Sequence, residues 1–271
     1  MNIKYEFTGE TRTWTGRTLH RIRAVRDFGD VKAGDLGGWI EKESNLSHDG
    51  DAWISGNARV YGNAMVYGNA WISGNARVYG NAMVYGNAWV YGDARVYGNA
   101  WVYGNAWVYG NAWVSGNARV YGDARVYGDA RVYGNADVYG NAWVYGKALV
   151  FDDARVYGDA LVCGNARVYG NARVYGNAMV CGDARVYGDA LVCGRKHILW
   201  ISMIGSRDDT VTFMRAKDEK IIVATGCFAG TIEEFDEAVK ETHGDNEHGK
   251  AYRLAIELAK LRIDLDKEEE R

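Results

Sequence analysis

The sequence predicts an all-β solenoid with a small module at each end, and three observations predict it. A six-residue unit recurs from Asp51 to Gly194; read from Ala58 it runs ARVYGN, AMVYGN, AWISGN, ARVYGN with little drift. Within each unit Ala and Val stand two apart, as in Ala58 and Val60, so an extended segment points both to one face. Like residues also return every 18 positions: Trp53, Trp71, Trp89 and Trp107, then Trp143 after an interruption at Arg125. In a solenoid each coil touches only its neighbours, so the period of like residues is the coil length.

Three units therefore make one coil, triangular in section, with three short strands. The array holds about eight such coils, and at the inter-strand spacing this is a rod roughly 40 Å long. Val and Ala fill a narrow core. The residue between them and the Tyr or Ser that follows are expected on the outside. Gly-Asn or Gly-Asp closes each unit, because those types accept left-handed backbone angles at a tight corner.

The order Val-Tyr-Gly-Asn-Ala-X resembles the hexapeptide repeat of left-handed parallel β-helix proteins. Left-handed winding is what that resemblance implies; the spacing alone does not give it. Fold does not carry function with it.

Residues 1–36 lie outside the period and read as a β-hairpin cap. Ile3 to Phe7 and Thr13 to Val25 are its expected strands, with the turn at Thr8-Gly9-Glu10. Arg17, Arg21 and Arg23 on the second strand form either an anion-binding edge or charges that protect an exposed strand. The repeat domain is taken as 37–194, with 37–50 its first, imperfect coil. An open solenoid end is an unpaired edge, so an atypical unit is expected there. Phe151-Asp152-Asp153 is the clearest lapse inside the array.

Residues 195–271 read as an α+β module of three strands and two helices. The strands are Ile198 to Ile204, Thr210 to Arg215 and Lys220 to Thr225. Thr231-Ile232-Glu233-Glu234 has the capping-box pattern that opens a helix, with Gly244 its stop after His243. The second helix starts near Asn246, and Tyr252, Ala255, Leu258, Ala259 and Leu261 mark its apolar stripe.

The flanks LHRIRAVRDFGDVKAGDLGGWIEKESNLSHDGDAW and GCFAGTIEEFDEAVKETHGDNEHGKAY resemble segments found around repeat solenoids in phage and prophage proteins. Those are mostly uncharacterised and often labelled hexapeptide transferases on the strength of the repeat. The resemblance implies a phage-type origin and a modular build, and it transfers no functional residue.

Composition narrows the function. The formal net charge is −3 and there is no proline; the pI is near 6.0. Nucleic acid is therefore an unlikely partner for the chain as a whole. The start MNIKYEF has no apolar signal core, and no apolar run is long enough to span a bilayer, which reads as a cytoplasmic chain. Cys163 and Cys181 fall one coil apart in a column of Ser and Tyr, and Cys193 in another. They are expected to be reduced, since parallel neighbours rarely reach disulfide geometry and the cytosol is reducing. No cysteine-histidine cluster suggests a metal, and no cofactor is expected.

Acyl transfer is the obvious enzymatic reading, because many hexapeptide β-helices are acyltransferases, and those resemble one another in using a histidine base on a coil or loop. This array has no histidine from Asp51 to Gly194; His20, His48, His197, His243 and His248 all lie in the ends. An acyltransferase would need an atypical site at a subunit interface. Cys227, in Gly226-Cys227-Phe228-Ala229-Gly230 before a helix start, could pair with His243 or His248 as a nucleophile, or be a packed cysteine in a tight strand-to-helix turn. The same turn could hold an anion on its backbone NH groups, with Arg207 near and Phe228 to stack. Arg207, Cys227, Phe228, Gly230 and His243 are thus the candidate site for a small anionic or nucleotide-like ligand.

The outer faces carry the most unusual chemistry. Trp53, Trp71, Trp89, Trp107 and Trp143 form one column and Arg another. Exposed aromatic surface of that extent marks self-association, a stacking platform for a partner, or a ladder that stabilises the rod itself. Stacked arginines repel, so pairing with turn aspartates such as Asp93, Asp123 and Asp129 is expected. The combined expectation is a non-catalytic, homo-oligomeric solenoid, phage-encoded, that sequesters a host component such as a nucleotide immune signal.

Overall fold

The computed structural model describes residues 3–265. Through the array each unit contributes a strand of two residues, from Trp53–Ile54 to Leu191–Val192. Every third strand pairs in parallel with the strand one coil away: Trp89 with Trp107, Arg77 with Arg95, Met65 with Met83. Three parallel sheets result. The Trp53 and Met65 columns each hold 8 strands, while the Arg59 column belongs to an 11-stranded sheet that also takes in the amino-terminal hairpin. The rod therefore has about nine turns, the eight expected of the array and one before it. The extra one is the imperfect unit, whose strand Leu36–Ile40 pairs antiparallel with the hairpin and parallel with Arg59–Val60.

The core matches the period-two reading. Array alanines and valines are buried throughout, with Val60, Val96 and Ala100 wholly inaccessible. Corners need glycine for two reasons at once. Gly98 has φ of 72°, and a Cβ there would lie 3.0 Å from the backbone nitrogen of Gly116 in the next coil. Asp152 takes the glycine place in the lapsed unit and still adopts φ of 57°.

Side chains at the corners are joined from coil to coil. Asn63 donates to Asn81, Asn81 to Asn99, Asn99 to Asn117, Asn117 to Asn135, and Asn135 to Asp153. A second ladder runs from Asn69 through Asn87 and Asn105 to Asp123. An ionised carboxylate accepts but cannot donate, so an aspartate ends each run. Asp123, Asp129 and Asp153 thus accept from asparagine amides, which corrects the expected pairing of turn aspartates such as Asp123 and Asp129 with arginine. Arg59, Arg77, Arg95, Arg125 and Arg131 lie over indole rings instead: Arg125 is 5.1 Å from the Trp107 centroid and 5.0 Å from that of Trp143. The Arg–Asp bridge within the array joins Arg119 to Asp137, which occupies a strand position.

Tyrosines stack in register. One column runs unbroken from Tyr67 to Tyr175, with ring centroids 4.8 to 4.9 Å apart and ring planes nearly parallel. Burial between neighbours pushes the Tyr121 hydroxyl up to about 12, with the Asp137 carboxylate adding to the effect.

The hairpin turns at Thr15-Gly16 instead of Thr8-Gly9-Glu10. Its strands are Tyr5–Trp14 and Arg17–Ala24, and both turn residues have positive φ, as a two-residue hairpin requires. Gly9 lies at a bulge, where register shifts between Phe7 and Thr11. Beneath the hairpin, polar side chains finish the first coil's edge. Asn45, wholly buried, donates to the carbonyls of Gly62 and Ala64 and accepts from the amides of Glu41 and Lys42. It supplies what an absent previous strand would.

At the other end an antiparallel sheet of four strands covers the last coil: Ile198–Ile204, Asp209–Arg215, Ile221–Thr225 and Phe228–Thr231. The fourth was not expected. Gly226-Cys227 is a two-residue hairpin turn with Thr225 paired to Phe228, not a strand-to-helix turn. Two helices follow, α1 (Ile232–His243) and α2 (Glu247–Arg262), opened by the Thr231–Glu234 capping box and by Asn246. In α2 the buried face is Tyr252, Ala255, Ile256 and Ala259, while Leu254, Leu258 and Leu261 are exposed; the stripe is rotated from the one expected. Met214, Ala224 and Ile198 extend the solenoid core into this sheet.

Cys163 and Cys181 are joined by a disulfide, which corrects the expectation that both are reduced. Stacked rungs bring their Cα atoms to 4.6 Å, inside the range a disulfide spans. Cys193 and Cys227 take no part in a disulfide.

Candidate functional site

The structure gathers four of the five candidate ligand-binding residues. Arg207, Cys227, Phe228 and His243 line a cleft of about 230 Å³ in the carboxy-terminal module, closed behind by Phe235 and Tyr252. The positions follow from the elements. Arg207 sits in the first hairpin turn of the sheet, Cys227 and Phe228 at the last, and His243 at the end of α1. Gly230 is not part of it. It is a strand residue paired with Val223, and a side chain there would meet the Glu234 carboxylate and the Phe228 ring. It leaves room for the helix cap.

Cys227 is exposed in its turn and precedes a strand, so no helix terminus favours its thiolate. Among the described residues no hydrogen bond joins Cys227 to His243, whose ring lies 5.7 Å from Tyr252 and 5.9 Å from His248. The nucleophile reading loses both of its supports.

Sequence reasoning passed over Asp209, Tyr252 and Arg185. Asp209 lies 3.7 Å from Arg185 of the last coil, and Arg185 donates to the carbonyl of Gly226 at 2.9 Å. The cleft is thereby tied to the rod. Tyr252 is held up from its ordinary value chiefly by burial, with Asp209 adding and Arg207 opposing. Gly205, φ 77°, is required behind it, because a Cβ would collide with the Tyr252 hydroxyl. The Arg185 signal was present in the sequence as the final member of the arginine column. Together the cleft offers an aromatic wall, a guanidinium and an imidazole, a setting for a small planar or anionic group.

The Trp column is mostly a surface feature. Trp89 and Trp143 are 45% and 38% exposed, and Trp71, Trp89 and Trp107 stack at 6.4 and 5.6 Å. Trp53 is the exception. It is buried beneath Phe28, 5.4 Å away, because the amino-terminal segment folds over the first coil. The strand positions of this face then read Trp71, Trp89, Trp107, Arg125, Trp143, Leu161 and Met179, with a single charge. Among the described residues, no His, Cys, Asp or Glu cluster has the make-up of a metal site, and no helix is long and apolar enough to cross a membrane.

Comparison with known proteins bears on the array. Residues 58–74, 76–146 and 154–194 match, in overlapping stretches, the repeat family described as YdcK Beta solenoid repeat. A stretch of 52 residues is 44% identical to a protein of Escherichia coli (strain K12) named "Uncharacterized acetyltransferase YdcK". That stretch is 19% of this chain and 16% of the E. coli protein, so the likeness spans about a sixth of the relative's length.

Proposed function

We propose that this β-solenoid repeat protein is a non-catalytic scaffold that self-associates through its Trp71–Met179 face and holds a small ligand in its terminal cleft. The Trp face carries the reading. Six large apolar side chains stand in one row with one charge among them, and rows of that kind are rare on surfaces that stay in water. Two such rows pack back to back about a twofold axis, the default symmetry of like chains. The cleft is below the usual 300–1,000 Å³ or so of a site enclosing a drug-sized ligand. It suits one ring or one anionic group of a nucleotide-like molecule, the remainder lying outside.

The phage-like flanks support a further step: the chain is phage-encoded, works in the bacterial cytoplasm, and sequesters a host nucleotide signal. Sedimentation equilibrium over a concentration series tests the scaffold. Trp89→Ser with Trp107→Ser is expected to leave a monomer; a native chain that is monomeric at every concentration overturns the reading. Calorimetric titration with a panel of nucleotides tests the cleft, where saturable binding lost in Arg207→Gln is expected. The E. coli relative's name motivates the second reading, an acyltransferase with an interfacial site. Acetyl-CoA turnover abolished by His243→Ala would establish it.

A further inference from the structure

The outward residues of the 11-stranded sheet follow one line across the hairpin and the rod: Arg21, Trp39, Arg59, Arg77, Arg95 and Trp113 are successive partners. The hairpin folds over the start of this line. Its Trp14 ring lies 4.1 Å from the Arg59 guanidinium and 5.0 Å from that of Arg77, and its Arg12 lies 4.3 Å from the Trp39 ring. Arg95 closes the row against Trp113 at 4.7 Å.

Four of these guanidiniums lack an acid. Arg17, Arg21 and Arg23, the sequence candidates for an anion edge, are each bridged to a glutamate: Glu41, Glu10 and Glu6. Among the described residues Arg12, Arg59, Arg77 and Arg95 have no such bridge. Like charges on neighbouring rungs repel, and burial together with Arg12 and Arg77 pulls Arg59 below its ordinary value. The Nε atoms of Arg59 and Arg95 and the indole nitrogens of Trp14 and Trp39 are buried N–H donors without an acceptor. Buried donors and uncompensated cations in one place are the make-up of an anion site.

We propose that Arg12, Arg59, Arg77 and Arg95 form a binding site for a short oligophosphate, with Trp14, Trp39 and Trp113 holding the guanidiniums flat. The site is separate from the terminal cleft and does not depend on it. Stacking on indoles fixes each fork without spending its hydrogen-bonding edge, which suits phosphate oxygens in pairs. Size selects the ligand. Three consecutive rungs span about 10 Å, the reach of a di- or triphosphate. A polymer would need the row to continue, and Trp113 and Leu149 interrupt it.

Calorimetric titration of the full chain with inorganic tripolyphosphate at low salt tests the proposal. One saturable site is expected, weakened by added salt. Arg77→Gln with Arg95→Gln should weaken it at least about tenfold, and Arg173→Gln, on another face, should not. Should the double glutamine variant misfold, as circular dichroism would show, Arg77→Lys with Arg95→Lys keeps the charge and loses the fork, and intermediate affinity is expected. Absence of binding to the native chain overturns the proposal, as does undiminished binding in the folded double variant. Loss in Arg207→Gln instead would place the anion in the cleft. Tight binding of an oligodeoxynucleotide without tripolyphosphate binding would make the row a polymer surface, which also overturns it.

Discussion

Lys4 Nζ donates to the carbonyl oxygen of Ala52 at 2.8 Å and to that of Gly50 at 3.3 Å, closing the free edge of the first Trp-face strand from inside the protein. Lys4 is wholly buried under the Phe28 ring. Desolvation, then repulsion from Arg26, pulls its pKa down to about 8. A base with a depressed folded pKa gives up stability as pH falls through that value, because the unfolded chain binds the proton more tightly. The melting temperature is therefore expected to rise from pH 7.5 towards pH 9.5 by this contribution. Lys4→Met should melt lower and lose that slope; an unchanged slope by differential scanning calorimetry refutes the assignment.

Arg119 and Asp137 form a two-pronged bridge between adjacent coils, both contacts at 2.8 Å. The aspartate is the buried member, at 7% side-chain exposure against 47% for the arginine. Arg119→Met strands a buried charge and is expected to cost more than Asp137→Asn, about 3 against about 1 kcal/mol. Thermal melts of the two variants check the order, and the reverse order contradicts it.

Asp152 holds a corner conformation that glycine occupies in neighbouring coils. A non-glycine residue there carries a penalty of about 1 kcal/mol, partly offset by acceptance from the amide of Gly170 at 3.3 Å. Asp152→Gly is expected to raise the melting temperature slightly, and Asp152→Ala to lower it.

The Cys163–Cys181 bridge closes a loop with a sequence separation of 18, a length for which chain entropy predicts about 3 kcal/mol of stabilisation. Alkylation of denatured, unreduced protein followed by mass spectrometry is expected to label Cys193 and Cys227 only. Cys163→Ser should melt lower than the unreduced chain. Labelling of all four would show the thiols are reduced.

How far the sequence could be read depended on how local the signal was. Val60 and Ala58 announce the core because their spacing and their repetition agree, and Thr231 with Glu234 announces α1 because a cap is a four-residue device. Trp53 could not be separated from Trp89, since both occupy the same phase; Phe28, distant in sequence, decides which one meets water. Gly9 and Gly16 look alike as turn residues, and pairing of the flanking strands selected the second. The fourth terminal strand was hidden because Phe228 to Thr231 is short and runs into the cap. Arg207, Phe228 and His243 line one cleft, while Asp209 joins them at the start of the strand after Arg207 and Tyr252 only through the packing of α2 on the sheet.

The stacking of near-identical units has a consequence for inheritance. Because each coil meets only its neighbours and begins and ends at the same corner, loss or gain of 18 residues keeps the parallel backbone ladders in register. Each such change of one coil alters the separation of the two terminal modules by about 4.8 Å. The repeat is in effect a ruler whose length selection can adjust without redesigning either end.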